Sequence, residues 1–324
     1  MERRELGRSG ISVTRIILGC GNFGGVGSSP AFFGQGIPHD EAFRIMDAAW
    51  ELGLTTFDTA DAYGGGRSEA WIGEWLATKG ADVRDTITIE TKTFNPMDTG
   101  RDHGLSRQRI RRQLESSLRR LGVERVQLYL AHEFDPDIPV KETLGTFDEL
   151  VRAGKIGAVG ASNFSAEQLA EAVEISELEG LTRYEWVQNS FSLLEAGDAE
   201  TVFPVCHEHG LGYEAFGPLA GGWLTGKYRR GSAYPEGSRM TQRPDGYRDF
   251  ENDVVFDALE ELENEAAARE VSMAGLALAW LLGVPEITGV VAGPTRAEHL
   301  EPVSEALSLE LSTEEHTHLR GLFP

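Results

Sequence analysis

Residues 19–24 read Gly-Cys-Gly-Asn-Phe-Gly, the spacing Gly-x-Gly-x-x-Gly, directly after the stretch Arg15-Ile16-Ile17-Leu18. In a dinucleotide-binding turn this pattern passes from strand to helix at once and sets a pyrophosphate on the helix N-terminus. Here the chain continues Gly24-Gly25-Val26-Gly27-Ser28-Ser29-Pro30, which cannot be helical: glycine loses most backbone entropy on ordering, and proline lacks the N–H. Asp40 and Glu41 stand where a ribose-binding acid would be sought, yet they open a helix, where carboxylates favour the positive end of the macrodipole. The stretch is therefore read as a βα loop whose glycines let it pass close to a ligand, and a doubly wound dinucleotide fold is set aside.

Outward from that loop, short apolar runs alternate with helical patterns. Strands are expected at residues 15–19, 55–58, 86–92, 126–132, 156–162, 186–189, 212–216 and 287–291. Helices are expected at 40–52, 68–77, 106–121, 140–153, 165–178, 199–209, 254–270, 272–282 and 297–307. Ser165 and Ser312 each precede a Gln or Glu by three residues, the signature of a capping box. Gly53, Gly122, Gly154 and Gly210 stand where helices should end in a left-handed residue. Eight βα repeats without a linker imply parallel strands closed into a (β/α)8 TIM barrel, one α/β domain over residues 1–324. Residues 217–251, rich in Gly, Pro and Arg, break the rhythm and read as a long loop after strand seven that covers the barrel mouth. It also carries the cations Lys227, Arg229, Arg230, Arg239 and Arg243.

The formal net charge of −22 excludes nucleic acid and anionic membrane as expected partners. Two cysteines, Cys20 and Cys206, cannot build a disulfide framework, no Cys/His cluster has zinc spacing, and both thiols are expected to be small buried apolar groups. The opening MERRELGRSG has no apolar core, and the apolar run 276–284 is too short to span a bilayer; a cytoplasmic protein is expected.

The polar residues fall at strand ends: Asp58 after Thr55-Thr-Phe, Lys92 after Ile89-Glu-Thr, His132 after Leu130-Ala, Ser162-Asn163 after Gly160-Ala, and Gln188 after Trp186-Val. In a barrel those ends share one face, which carries the chemistry. Tyr63, in the loop Asp61-Ala-Tyr-Gly-Gly-Gly, overhangs them. Each has an ordinary reading taken alone: a capping Asp, a solvated Lys, a packing His, a surface Tyr, amides that satisfy loop backbone. Together on one rim they suggest an acid–base centre. A phenol ionises near about 10, and a neighbouring ammonium is expected to lower that value. Lys92 supplies the ammonium, Asp58 holds it, and His132 donates to a carbonyl oxygen while Tyr63 protonates it. The set needs no metal, but the hydride must come from a cofactor.

Several longer motifs occur in order: Phe57-Asp-Thr-Ala-Asp-Ala-Tyr63-Gly64, Glu90-Thr-Lys92, Leu128-Tyr-Leu-Ala-His132, Gly154-Lys-Ile156, Gly160-Ala-Ser-Asn-Phe164, Gln188-Asn-Ser-Phe191, Pro218-Leu-Ala-Gly-Gly-Trp-Leu-Thr-Gly-Lys-Tyr228 and Gly293-Pro-Thr-Arg296. In this order they resemble the aldo-keto reductase superfamily over nearly the whole length. The resemblance implies an N-terminal hairpin, extra C-terminal helices and NAD(P)H-dependent carbonyl reduction, or the reverse oxidation, of a small-molecule substrate. It implies Tyr63 as acid/base, Lys92 and Asp58 as its tuning pair, and His132 as the carbonyl-orienting group. Ser162, Asn163 and Gln188 take the carboxamide. Phe216 stands where the family places a stacking Tyr; a Phe ring still stacks. Gly217, Pro218, Leu219, Gly222 and Lys227 would cross the pyrophosphate, and Gly21, Asn22 and Phe23 would also bind the cofactor.

At the far end, where the resemblance implies cofactor contacts from Gly293, Thr295, Arg296 and His299, the family often reads Gly-x-Arg with Gln and Asn further on. Here Gly293 is kept, Thr295 stands at the Arg position with Arg296 after it, His299 replaces the Gln and Val303 the Asn. Arg296 suits a 2′-phosphate, or it is a helix-start charge facing solvent; NADPH/NADP+ is the expected cofactor, with NADH as the alternative. Phe32, Phe33 and Trp223 are candidates for the substrate wall, narrowed by residues 28–38, or are loop packing. Two other functions compete: a non-catalytic nicotinamide-sensing regulatory subunit, and a Schiff-base lyase using Lys92, which the pairing with Asp58 disfavours.

Overall fold

The computed structural model describes residues 1–100 and 102–324. A hairpin, β1 (Arg3–Glu5) with β2 (Ser12–Thr14), precedes the barrel strands. These are β3 (Ile16–Gly19), β4 (Thr56–Asp58), β5 (Thr88–Thr93) and β6 (Val126–Ala131). They continue as β7 (Ile156–Ser162), β8 (Tyr184–Ser190), β9 (Gly212–Phe216) and β10 (Ile287–Ala292). The strands from β3 to β10 are all parallel and close on themselves in sequence order. Full closure leaves no sheet edge to protect. Arg15 sits at the closing seam, its guanidinium donating to the carbonyls of Thr288 (3.0 Å), Ile287 and Leu282 (2.5 Å).

Both strand faces are apolar because both are covered. Outward residues pack on the surrounding helices in one large core. Inward residues Ile17, Leu128, Leu130, Ala158, Trp186 and Val291 form a second core, and Leu6 and Val13 of the hairpin join it. The hairpin therefore plugs one end of the barrel, and the polar strand ends occupy the other. Gly160 makes room inside: a Cβ there would lie 2.4–2.7 Å from ring atoms of Trp186.

The four helix-ending glycines are left-handed, with φ of 79°, 69°, 71° and 62° at Gly53, Gly122, Gly154 and Gly210. Ser165 and Ser312 both form the full reciprocal capping box. Differences from expectation are local. Ala81–Thr86 is a short helix, so Thr86 is not in the strand that follows. The expected helix 199–209 is a 3-10 turn followed by Val202–His209, and 297–307 is likewise a turn followed by Glu301–Ser308.

The segment 217–251 is more ordered than a long loop. It contains 3-10 turns at Ala220–Thr225 and Arg248–Phe250 and a short helix at Arg239–Gln242. Its anchor is Trp223, fully buried with ring centroids 5.1 Å from Tyr228 and 5.6 Å from Phe256. The first βα loop has no helix after Gly24; a 3-10 turn at Pro30–Phe32 comes first, and Asp40 and Glu41 occupy the first turn of His39–Glu51. Among the described residues no single helix is long and apolar enough to cross a membrane.

Candidate active site

Strand register brings the polar ends together. Asp58 on β4 pairs with Glu90 on β5, and Gln188 on β8 pairs with Glu214 on β9. Lys92, two residues beyond Glu90, points the same way because side chains alternate along a strand. Its ammonium bonds Asp58 and the Thr59 carbonyl, the latter at 3.0 Å, and it is fully buried. Burial alone would pull Lys92 down, but Asp58, Tyr63 and Glu90 together raise it above its ordinary value, so it stays charged.

Tyr63 rides on a 3-10 turn, Tyr63–Gly65, in which Gly64 and Gly65 are left-handed. Its ring lies 5.2 Å from the Lys92 ammonium and meets the His132 ring edge-on at 5.6 Å. A buried chain holds this turn from behind: Arg109 donates to Thr93 (2.9 Å), Thr93 donates to Asp61 (2.7 Å), and the Asp61 N–H donates to the Lys92 carbonyl (3.0 Å).

Lys92 acts to lower the Tyr63 ionisation, as the sequence reading expects, but it does not win. Burial pushes Tyr63 up to about 12, because desolvation outweighs Lys92 and Asp58 offsets part of the ammonium's field. Tyr63 is only half-buried, so water at the mouth screens part of that rise. The phenol is consequently protonated at neutral pH, the form a proton donor needs.

His132 is buried, and burial followed by the Lys92 charge holds it well below its ordinary value. Its Nδ1 has no partner. The neutral tautomer with Nε2–H, assigned from this environment, leaves Nδ1 as a lone pair and offers a donor at the mouth. Asn163, left-handed at φ 59°, donates from Nδ2 to the His132 carbonyl (2.9 Å) and to Ser162 Oγ (3.2 Å), and its side chain is exposed. Gln188 sits below, its Nε2 within 3.1 Å of Asp58, 2.8 Å of Glu90 and 3.0 Å of Glu214. Glu90 and Glu214 are both fully buried, and neither stands out in the sequence as a site residue. The two-residue alternation through Lys92 and the pairing with Gln188 are the signals that point to them.

The glycine loop and the lid face each other across the mouth. A Cβ on Gly21 would lie 3.6–3.9 Å from the Tyr63 ring, and Asn22 reaches Gly293 at the end of β10 (3.5 Å). From the lid, Arg239 reaches Asn22 (3.4 Å). Gly217, Gly221 and Gly222 are all left-handed, and the Lys227 ammonium folds over Gly222, 2.2 Å from where a Cβ would stand. Arg229 and Arg230 turn outward to Glu263, Asp253 and Asp257. Among the described residues Lys227, Arg239, Arg243 and Arg296 have no carboxylate within salt-bridge distance. In so acidic a chain, this unneutralised cationic group beside a glycine cradle fits the phosphates of a dinucleotide. Phe216 and Leu219 are partly open, Pro218 is buried beside them, and Gly293, Thr295, Arg296 and His299 are exposed at the far end. There Arg296 donates to His299 Nε2 (2.9 Å), whose Nδ1 lies 3.1 Å from Thr295 Oγ1.

Two candidates lie elsewhere. The Phe23 side chain is fully buried in the large core, so only its backbone faces the loop, and Trp223 is the lid's anchor and no part of a substrate wall. Phe32, under the Arg243 guanidinium at 5.9 Å, and Phe33, against Gly65, remain partly exposed beside the Tyr63 turn.

A closed parallel barrel with a Tyr–Lys–Asp–His set at its strand ends defines a class of oxidoreductase scaffold. The model of the Aldo/keto reductase family matches residues 15–323, and the chain belongs to that family. It is similar to the "Uncharacterized oxidoreductase YrpG" of Bacillus subtilis (strain 168), 35% identical over 100% of this chain and 96% of the relative. It is 34% identical to the "L-glyceraldehyde 3-phosphate reductase" of Escherichia coli (strain K12), over 97% and 90% of the two chains. It is 30% identical to the "Probable voltage-gated potassium channel subunit beta" of Oryza sativa subsp. japonica, over 95% and 92%. The family and these names place the chain among oxidoreductases, in a family that uses nicotinamide cofactors.

Proposed function

We propose that the protein reduces an aldehyde or ketone to the alcohol, or runs the reverse oxidation, with NADPH as the preferred cofactor. The observation that carries this reading is the buried Lys92–Asp58 pair within reach of a protonated Tyr63, beside a neutral His132. When bound, the reduced nicotinamide supplies the hydride that no side chain can supply. Asn163 and Gln188 would orient its carboxamide, Phe216 would stack on the ring, and Lys227 and Arg239 would meet the pyrophosphate. His132 donates from Nε2 to the substrate carbonyl and polarises it. Tyr63 gives its proton to the oxygen as charge develops there, and the Lys92 ammonium stabilises the phenolate left behind. Lys92 cannot itself be a Schiff-base nucleophile, because a buried ammonium bonded to Asp58 has no free electron pair.

A small carbonyl suits the space beside Phe32 and Phe33, and the Escherichia coli relative acts, by its name, on a phosphorylated aldehyde. The rice relative raises the regulatory alternative; the complete set of four at this mouth favours catalysis. Two buried free thiols fit a reducing compartment, and we place the protein in the cytoplasm.

The cofactor assignment rests on Arg296. A charge-assisted bond to a 2′-phosphate is worth about 1.5–3 kcal/mol, roughly a 10–100-fold preference. The ratio of kcat/KM for NADPH over NADH should lie in that range and fall toward one in Arg296→Ala. A ratio near one in both proteins removes the assignment.

A further inference from the structure

Beneath the four mouth residues lies a second titratable group that the proposed reaction does not use. Asp58, Glu90 and Glu214 converge on the nitrogen of one amide, Gln188 Nε2, at 2.8–3.1 Å. That nitrogen has two protons for three carboxyls. Glu90 Oε2 and Glu214 Oε1 have no hydrogen-bond donor at all. Lys92 is the cation within this group, and it is bound to Asp58 and the Thr59 carbonyl. Three ionised carboxylates and one ammonium would leave two uncompensated charges in a closed core, which is prohibitive.

We propose that Glu90 and Glu214 share one proton and act as a positioning pair: they hold the Gln188 amide nitrogen toward the barrel interior, leaving its oxygen for the mouth, and they set the negative charge under Lys92. The two carboxyls meet at the Gln188 nitrogen, 2.8 Å from Glu90 and 3.0 Å from Glu214. Burial is the main cause that raises both, Glu214 to about 7, and each feels the other as well as Asp58 and Lys92. The other titratable neighbours are Tyr63 and His132 at the mouth and Cys20 at the end of β3, each of which feels Lys92.

Two consequences follow. With its nitrogen engaged below, Gln188 offers an acceptor to the carboxamide NH2, so an acetylpyridine cofactor, which has a methyl group there, should bind about 5–10-fold more weakly. Once rising pH removes the shared proton, the added charge opposes formation of the Tyr63 phenolate, and carbonyl reduction slows. This second consequence, and the carboxamide contact, rest on the function proposed above; the shared proton does not.

The test uses Glu90→Gln, Glu214→Gln and the double substitution, which preserve size and polarity. Infrared spectra of the whole protein should show a buried protonated-carboxyl band at pH 6 that fades as pH rises and disappears in either single variant. A band kept at full strength in one single variant means that one carboxyl carries the proton alone, and it overturns the sharing. In cofactor quenching titrations the discrimination against the acetylpyridine analogue should drop in the double variant, and the alkaline fall in kcat should be absent. Folded variants with unchanged discrimination and an unchanged pH profile overturn the positioning role. If Tyr63→Phe turns over normally while the band behaves as described, the reaction is wrong and the shared proton stands.

Discussion

At the scale of single residues, Lys92 is held as an ammonium in a dry site by Asp58. Replacing it with Met leaves that carboxylate buried and unpaired, a loss of about 3–5 kcal/mol. Denaturant unfolding of Lys92→Met should show this loss, and reduction should be abolished or confined to a more alkaline optimum. A variant with wild-type stability and an unchanged pH–rate profile would falsify the tuning role of Lys92. Asp58, Lys92, His132 and Gln188 are legible in the sequence because polar residues that end apolar runs are forced to one rim by closure. Tyr63 is legible by its glycine neighbours, but its ionisation is not, since burial and the Asp58 charge are properties of the assembled site. Phe23 and Trp223 read as ligand contacts in the sequence because an aromatic beside glycines looks the same whether it lines a mouth or anchors a loop. Only packing separates the two cases.

At the scale of elements, the barrel depends on alternating large and small inward residues. Trp186 crosses the interior where β7 offers Gly160. Gly160→Ala must move the indole or the strand, and overpacking of this kind costs about 1–3 kcal/mol. A urea midpoint lowered accordingly, with the slope unchanged, is expected; an unaltered midpoint means that Trp186 has room the structure denies it. Many of the main strands and helices are readable because local punctuation marks them, the left-handed Gly53, Gly122, Gly154 and Gly210 and the capping boxes of Ser165 and Ser312. Ala81–Thr86 is too short for a period to emerge, and the turns within the lid form only because Trp223 draws the segment onto Phe256 and Phe250.

At the scale of the whole molecule, acid and burial meet. Asp61 is fully buried behind the Tyr63 turn, and burial pushes it up to about 7 despite Arg109. The folded state therefore binds a proton there that the unfolded chain releases near about 4. Its contribution to stability is complete below about pH 4 and is lost as pH rises through about 7. Asp61→Asn, which keeps an acceptor for Thr93, should flatten the decline of Tm between pH 5 and pH 7. Parallel Tm curves for variant and wild type would show that Asp61 is ionised in both states. The net charge of −22 sets solubility and partner choice.

The central claim is that Tyr63 delivers the proton on a barrel rim that Lys92, Asp58 and His132 complete. Its most direct test is single-turnover stopped-flow reduction by Tyr63→Phe preloaded with NADPH, with the cofactor Kd measured by quenching on the same sample. The account predicts a Kd close to wild type and a hydride-transfer rate lowered by at least about 100-fold, the low end for loss of a general acid. A rate within a few-fold of wild type at undiminished cofactor binding contradicts it.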